Sequence, residues 1–293
     1  MLTWVVSKEE NSDKLLSFLK SKLPVRHSAR QIKKAIEENH CQINDRTERF
    51  ASRTLAANDI VIFNENALEV KSESLSFELK RVLYEDSQLL IYDKPSKTAS
   101  DDPEFLKALQ RNLPLLVLVH RLDKDTTGAL IFAKTVEMEE MMKGLFKQHQ
   151  IEKEYLAIVD KVPKKMGGII DNYLGVKHRY QGQTLYGSVA QADGAHAITE
   201  WQCEKKTAEA ALLRCMPKTG RTHQIRVHLS EMGHPILGDY QYGRQFQCDY
   251  RPERYMLHAL ALTFSHPVTH KMVKVLAPIP DDFQKTLDAL YST

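Results

Sequence analysis

The stretch LLVLVHRLDKDTTGALIFAKT, residues 115–135, sets two short apolar runs on either side of a dense polar segment. The runs 115–119 and 129–133 are rich in branched and bulky residues and are bounded by Pro114, Gly128 and Lys134, which predicts two buried strands. The polar segment between them, His120-Arg121-Leu122-Asp123-Lys124-Asp125-Thr126-Thr127-Gly128, is then a loop held at both ends by packed scaffold. Such loops carry catalytic residues because the scaffold fixes their position while leaving them accessible. Asp123 is the leading candidate.

The composition around this stretch is that of an ordinary globular protein. At 293 residues the chain has room for about two domains, at roughly 150 residues each. With 42% hydrophobic and 27% charged residues it can bury a sizeable core without staples. The four cysteines, Cys41, Cys203, Cys215 and Cys248, form no CxxC pair, so neither a zinc site nor a redox motif is indicated, and a reducing cytoplasm is the expected setting. No apolar run approaches the ~18 residues that a membrane span requires, and the N-terminal run is too short for a signal peptide. The formal net charge of +3 carries little information; its distribution carries more.

Residues 14–34 hold Lys14, Lys20, Lys22, Arg26, Arg30, Lys33 and Lys34 with no acidic residue. Two helices fit here. One opens at Ser12 with Leu15, Leu16, Phe18 and Leu19 on its apolar side; the other opens at Ser28, whose spacing to Gln31 is that of a capping box, with Ile32, Ala35 and Ile36 inward. Short strands are predicted at 41–44 and 60–64. A basic run of this kind is ordinarily a solvated helix face. The lack of interleaved acids, which i,i+4 pairing would supply, points instead to phosphate. The FLxxxLP phrase at 18–24, the Ser-initiated helix and the strand ending Ile43-Asn44 together resemble an S4 RNA-binding domain. Asn39-His40 and Asn58-Asp59 depart from that pattern where glycine is usual, and asparagine tolerates the left-handed backbone such turns need.

The polar stretch 71–80 reads as a linker, with a boundary near Ser76. A hairpin around Asp86-Ser87 leads into Asp93-Lys94-Pro95, and helices are predicted over 103–113 and 135–150, the latter capped by Thr135. Residues 151–160 alternate as a strand that places Lys153 and Tyr155 on one face. The glycine-containing, polar region 167–194 suggests hairpin loops. A second basic concentration, RCMPKTGRTHQIRVHLS at 214–230, holds Arg214, Lys218, Arg221 and Arg226 without an acid. Its alternation predicts a strand after the Thr219-Gly220 turn, with Arg221, His223, Ile225 and Val227 on one face and Thr222, Gln224, Arg226 and His228 on the other. His223 and His228 then point oppositely, which argues against a shared metal and for hydrogen bonding within the fold. A strand at 257–264 and a closing helix at 281–291 complete the chain.

Three motifs now stand in order: HRLDKDTTG at 120–128, KEY at 153–155 and TGRTHQIRVHL at 219–229, followed by GHPILGD at 233–239 and LHA at 257–259. Together they resemble the RluA-type pseudouridine synthases, over a region running from Ser76 to the C-terminus. The resemblance implies an α+β fold, with a mixed, largely antiparallel central sheet flanked by helices and loops. The expected division is an S4-like RNA-binding domain at 1–70, a linker at 71–80 and a catalytic domain at 81–293. Two departures stand out. Thr127 replaces a more usual serine and keeps the hydroxyl, and DKPSKTAS at 93–100 lacks the glycine that commonly follows the Lys-Pro.

The reaction so implied breaks the bond between uracil N1 and ribose C1′, turns the base and rejoins it through C5. An ionised carboxylate suits the sugar step. By the resemblance Asp123 either attacks C1′ or removes a C2′ proton, and both routes are open. Arg221 is assigned as the ionic partner of Asp123. Tyr155 is assigned to stack on the uracil, with its hydroxyl a candidate to take the C5 proton. Arg121 is matched to an arginine that fills the stack vacated when the nucleotide is extruded, and Arg226 is expected to contact phosphate. Lys14, Lys20, Arg26, Arg30, Lys33 and Lys34 are the remaining expected RNA contacts. The rearrangement calls for no cofactor and no metal. The expected partner is RNA, ribosomal first and transfer RNA as the alternative, bound by a cytoplasmic monomer with no membrane contact. The competing class is a non-catalytic RNA-binding or ribosome-assembly factor that keeps the fold, which intact Asp123, Tyr155 and Arg221 argue against.

Overall fold

Leu15, Phe18 and Leu19 recur at helical spacing and are fully buried in the N-terminal part of the chain, where they join Ile32, Ala35 and Ile36 of a second helix over a small sheet. A computed structural model describes residues 1–24, 27–68, 77–113, 115–180, 183–243 and 245–291, without the side chains of Arg30, Tyr180 and Gln183. The chain divides into two compact units, Met1–Ser74 with His178–Leu185, and Leu75–Lys177 with Tyr186–Thr293. The expected boundary near Ser76 and most of the expected linker fall outside the described residues.

In the first unit, β1 (Leu2–Val5), α1 (Leu15–Lys22), α2 (Ala29–Glu37), β2 (Cys41–Ile43), β3 (Arg46–Thr47) and β4 (Ile60–Phe63) form two helices and an antiparallel sheet of order β1-β4-β2-β3. The capping box of α2 is present: the Ser28 hydroxyl accepts from the Gln31 amide at 3.2 Å, and the Gln31 side chain accepts from the Ser28 amide at 2.8 Å. Asn39 and Asn58 both adopt left-handed backbone, φ 68° and 71°, at the two places where glycine had been expected. The basic run, however, finds acids just outside its own limits. Lys33 and Lys34 lie 3.8 and 4.0 Å from Glu37 and Glu38 one turn on, Lys22 pairs with Glu10 at 2.6 Å, and the Lys14 ammonium donates to Thr54. Lys33 and Lys34 thus have exposed i,i+4 partners just beyond the end of the acid-free run. Lys20 is exposed, and Arg26 and the side chain of Arg30 lie outside the described residues.

The second unit carries the larger sheet, except for the ends of two strands that lie within His178–Leu185. Its elements in order are β5 (Val82–Glu85), β6 (Leu89–Lys94), α3 (Pro103–Gln110), β7 (Val117–Leu118), β8 (Thr127–Ala133), α4 (Val136–Lys147), β9 (Glu152–Asp160), β10 (Gly167–Tyr180), β11 (Gln183–Ser188), β12 (Ala195–Lys206), β13 (Ala210–Pro217), α5 (Gln224–Glu231), β14 (Leu257–Ser265), β15 (Met272–Leu276) and α6 (Asp281–Tyr291). The strand order is β11-β10-β12-β13-β9-β14-β8-β6-β5, with β15 on β14 and β7 on β8. Among the described pairings only β8 with β14 is parallel. This is the mixed, largely antiparallel α+β architecture expected. All seven residues of β8 are buried, because core packs on both faces of the sheet at this strand: Ala129 and Ile131 on one side, Leu130 and Phe132 on the other.

Three expected elements differ. The strand at 115–119 shrinks to Val117–Leu118. The region 167–194 is not a set of loops but holds the 14-residue β10 and its partner β11; β10 lies near one end of the sheet with much of its surface exposed, so its strands carry polar residues on both faces. The expected strand after Thr219-Gly220 is the helix α5. The Thr219 hydroxyl and the Arg221 amide both donate to the Gln224 side-chain oxygen, at 2.7 and 2.9 Å, and His223 turns the chain with a left-handed backbone, φ 57°. Gln224 through Leu229 are all buried, so α5 shows no exposed face from which a helical period could be read.

Candidate active site around Asp123

The loop between β7 and β8 is anchored almost residue by residue. The His120 imidazole accepts the Ile131 amide at 3.0 Å; burial drives this group down to about 3, which keeps it neutral and able to accept. Ser100 closes a two-way bond with Leu122, accepting its amide at 2.9 Å and donating to its carbonyl at 2.8 Å. The Lys124 carbonyl accepts from the Thr98 amide and from the Lys94 ammonium, at 3.1 and 3.0 Å. Lys94 is fully buried and also donates to the carbonyls of Pro95 and Thr98, at 2.8 and 2.7 Å. Burial pulls it down to about 7, yet three carbonyl acceptors call for the three donors of the ammonium form. The left-handed backbone in this adjoining loop is carried by Lys97, φ 60°, in the segment that lacks the expected glycine.

The far end of the loop is held by Arg254, only 2% exposed. Its guanidinium donates to the Asp125 carbonyl at 2.9 Å and to the Thr127 hydroxyl at 3.4 Å, and is itself clamped by both carboxylate oxygens of Asp282, at 2.6 and 3.0 Å, in the first turn of α6. The Thr127 hydroxyl also bonds the His258 imidazole at 2.9 Å, so the group that threonine retains in place of serine is in use. Asp125 is buried.

Asp123 meets Arg226 and not Arg221. The Arg226 Nη1 lies 3.2 Å from Asp123 Oδ2, while its Nε and Nη2 engage Asp239 at 2.7 and 2.9 Å and Nη2 reaches Gln241 at 2.8 Å. The guanidinium lies over the rings of Tyr255 and Tyr242, 4.3 and 4.9 Å from their centroids. The assignment of Arg221 as the ionic partner is therefore corrected: its Nε donates to the His196 carbonyl at 2.8 Å, and no ion pair joins it to Asp123 among the described residues. Arg226 is 3% exposed, which also removes it as a phosphate contact. The cause is local. On a strand these two arginines would have pointed apart from a common backbone; the turn at His223 and the first turn of α5 bring Arg226 to the loop instead.

The other cations of this segment are likewise matched from neighbouring strands. Arg214 bonds Glu154 and Glu204, and Lys218 pairs with Glu200 at 2.9 Å. Tyr155 lies on β9, packed against both flanking cores, and burial together with the charge of Asp123 raises its phenol far above the ordinary range, so the proton stays on the oxygen. His228 bonds Thr199 and Asn172, as the fold-internal reading expects. Arg121 is exposed and 3.2 Å from Asp101. The residues missed beforehand are Asp239, Tyr242, Arg254, Tyr255 and Asp282. Only Asp239 lay within a motif singled out in the sequence; the rest are brought in from other segments by the sheet.

Comparison with known proteins identifies the family. Residues 88–231 match the family model for RNA pseudouridylate synthase. The ribosomal large subunit pseudouridine synthase D of Haemophilus influenzae is 31% identical over 288 residues, which is 90% of this chain and 87% of that protein. The ribosomal large subunit pseudouridine synthase C of Escherichia coli K12 is 30% identical over 311 residues, 97% of this chain and 95% of that one. Among solved structures, human RNA pseudouridylate synthase domain containing 4 superposes with a TM-score of 0.61 at 27% identity, covering 72% of this chain and 93% of that one. The class is thus an isomerase that rearranges a base within RNA. The chain belongs to the RNA pseudouridylate synthase family.

Proposed function

We propose that this enzyme converts uridines of large-subunit ribosomal RNA to pseudouridine, with Asp123 as the group that acts on the ribose. The ribosomal target is supported by the names of relatives that match nearly end to end. The observation that carries the role of Asp123 is its pairing with a buried arginine that is itself fixed by Asp239 and two tyrosine rings. That arrangement holds one carboxylate oxygen, Oδ2, and leaves Oδ1 for the sugar. Tyr155 offers its ring to the uracil.

The uridine must be extruded, and Arg121 is suited to fill the gap because its existing ion pair is solvent-exposed and is worth at most about 1 kcal/mol. Lys14, Lys20, Lys33 and Lys34 of the S4-like unit are proposed to meet phosphate, where the backbone charge of RNA outcompetes weak surface pairs. No described helix is long and apolar enough to cross a membrane; we assign the enzyme to the cytoplasm, as a monomer. The test is pseudouridine mapping of total RNA from cells lacking the gene, complemented with the wild-type chain or Asp123→Asn. The expected result is loss of discrete large-subunit sites, restored only by the wild type. Restoration by Asp123→Asn would sink the role of Asp123, and loss confined to transfer RNA would move the substrate.

A further inference from the structure

His223 lies beside the Arg226–Asp123 pair and takes no part in the assignments above. Its Nε2 is 3.8 Å from Asp123 Oδ2, the same oxygen that Arg226 holds at 3.2 Å. Its Nδ1 is 2.7 Å from the Tyr242 hydroxyl. The ring is held edge-on to Tyr186 and Tyr242, with both centroids at 5.6 Å. The residue adopts a left-handed backbone, uncommon for a side chain of this size, and although it caps α5 its side chain makes no capping bond. The imidazole is therefore aimed elsewhere, at the carboxylate.

Its proton can be placed. The Tyr242 hydroxyl oxygen accepts from the Tyr186 amide at 3.3 Å, so its own hydrogen is directed to a different acceptor, and His223 Nδ1 is at bonding distance. Burial raises the Tyr242 phenol, which keeps that hydrogen on the oxygen, and burial lowers His223 against the opposing pull of Asp123 and Asp239. An imidazole that accepts at Nδ1 carries its single hydrogen on Nε2. The contacts run from the Tyr186 amide through the Tyr242 hydroxyl to the His223 ring, whose Nε2 then faces Asp123 Oδ2 at 3.8 Å.

We infer that His223 is a positioning residue for the isomerisation: a neutral imidazole whose tautomer is set by Tyr242, and which joins Arg226 in holding Oδ2 of Asp123 so that Oδ1 faces the ribose. A neutral donor adds orientation without a second positive charge, which would draw electron density from the reacting oxygen. The 3.8 Å separation is that of the enzyme without RNA, in which catalytic contacts are commonly longer than in the substrate complex.

The inference rests on Asp123 being the reacting carboxylate, and a mutant cycle separates the two. Single-turnover rates and RNA affinity are measured on large-subunit ribosomal RNA from cells lacking the gene. His223→Ala is expected to slow turnover by about ten- to hundredfold, the scale of one lost bond to a charged group, with affinity within about twofold. His223→Gln, which keeps a donor at similar reach, recovers most of that loss. Tyr242→Phe slows the wild type about tenfold but leaves the His223→Gln rate within about twofold, because an amide has no tautomer to set. Equal effects of Tyr242→Phe in both backgrounds, or full turnover by His223→Ala, would overturn the inference while an inactive Asp123→Asn left the reading of Asp123 standing. An active Asp123→Asn would remove that reading itself.

Discussion

A guanidinium presents five donors in a planar fork, and Arg226 makes four hydrogen bonds to two carboxylates and an amide while lying over two tyrosine rings. The pair with Asp239 is nearly excluded from water, with side-chain exposures of 4% and 1%. Asp239 is held by the arginine fork together with the amides of Gln241 and Tyr242, and Asp123 is met by Nη1. Arg226→Lys supplies a single ammonium that can face one carboxylate or the other. Turnover is expected to fall on the order of 10²-fold, the cost of one preorganised donor, in a variant that still folds. Arg226→Met strands a buried carboxylate and should cost about 3–5 kcal/mol in a denaturant titration. Near-wild-type turnover by Arg226→Lys would show that the fork geometry is not what holds Asp123.

At the scale of elements, the parallel pairing of β8 with β14 decides where the loop can be. His258 and Ala259 register with Thr127 and Gly128, which brings the strand carrying LHA against the end of the Asp123 loop. Gly128 has φ +107°, and a Cβ there would lie 2.2 Å from the Ala259 carbonyl oxygen. No L side chain fits that approach. Gly128→Ala should destabilise the protein by about 3 kcal/mol or more, combining backbone strain with a clash against the neighbouring strand. Thermal unfolding measures it, and an unchanged Tm would mean the two strands can separate without loss. The helix α6 belongs to the same support, since Asp282 fixes Arg254 and Arg254 fixes the loop.

At the scale of the whole molecule, neutral buried histidines set a limit on acid tolerance. His228 and His258 are fully buried and held down to about 4, both chiefly by burial, and His120 to about 3. The ordinary value is 6.5, so between that pH and the folded values the unfolded chain binds more protons and the folded state loses ground. Stability contributed by each group is fully present above pH 6.5 and declines by about 1.4 kcal/mol per unit as pH falls toward 4. Tm should therefore drop between pH 7 and pH 5, before carboxylates protonate in bulk. A flat Tm across that window would contradict the burial of these imidazoles.

Local signals wrote much of this protein into its sequence. The Ser28 capping box, the Thr135 cap, the strand β9 and the amphipathic α6 depend on neighbours within a few residues, and each forms where expected. The motif carrying Asp123 was legible for the same reason, being contiguous. What could not be read was partnership across the fold. Arg221 and Arg226 are equivalent as letters, and only the left-handed turn at His223 and the burial of α5 on every side determine which of them reaches Asp123. The partners of the charge runs were hidden in the same way: the acids beside Lys33, Lys34, Arg214 and Lys218 lie outside the runs, one helical turn on or across a sheet. Secondary structure is specified by short-range sterics and hydrogen bonding, whereas the pairing of charges is specified by which segments the core forces together, and that was decided by tertiary packing alone.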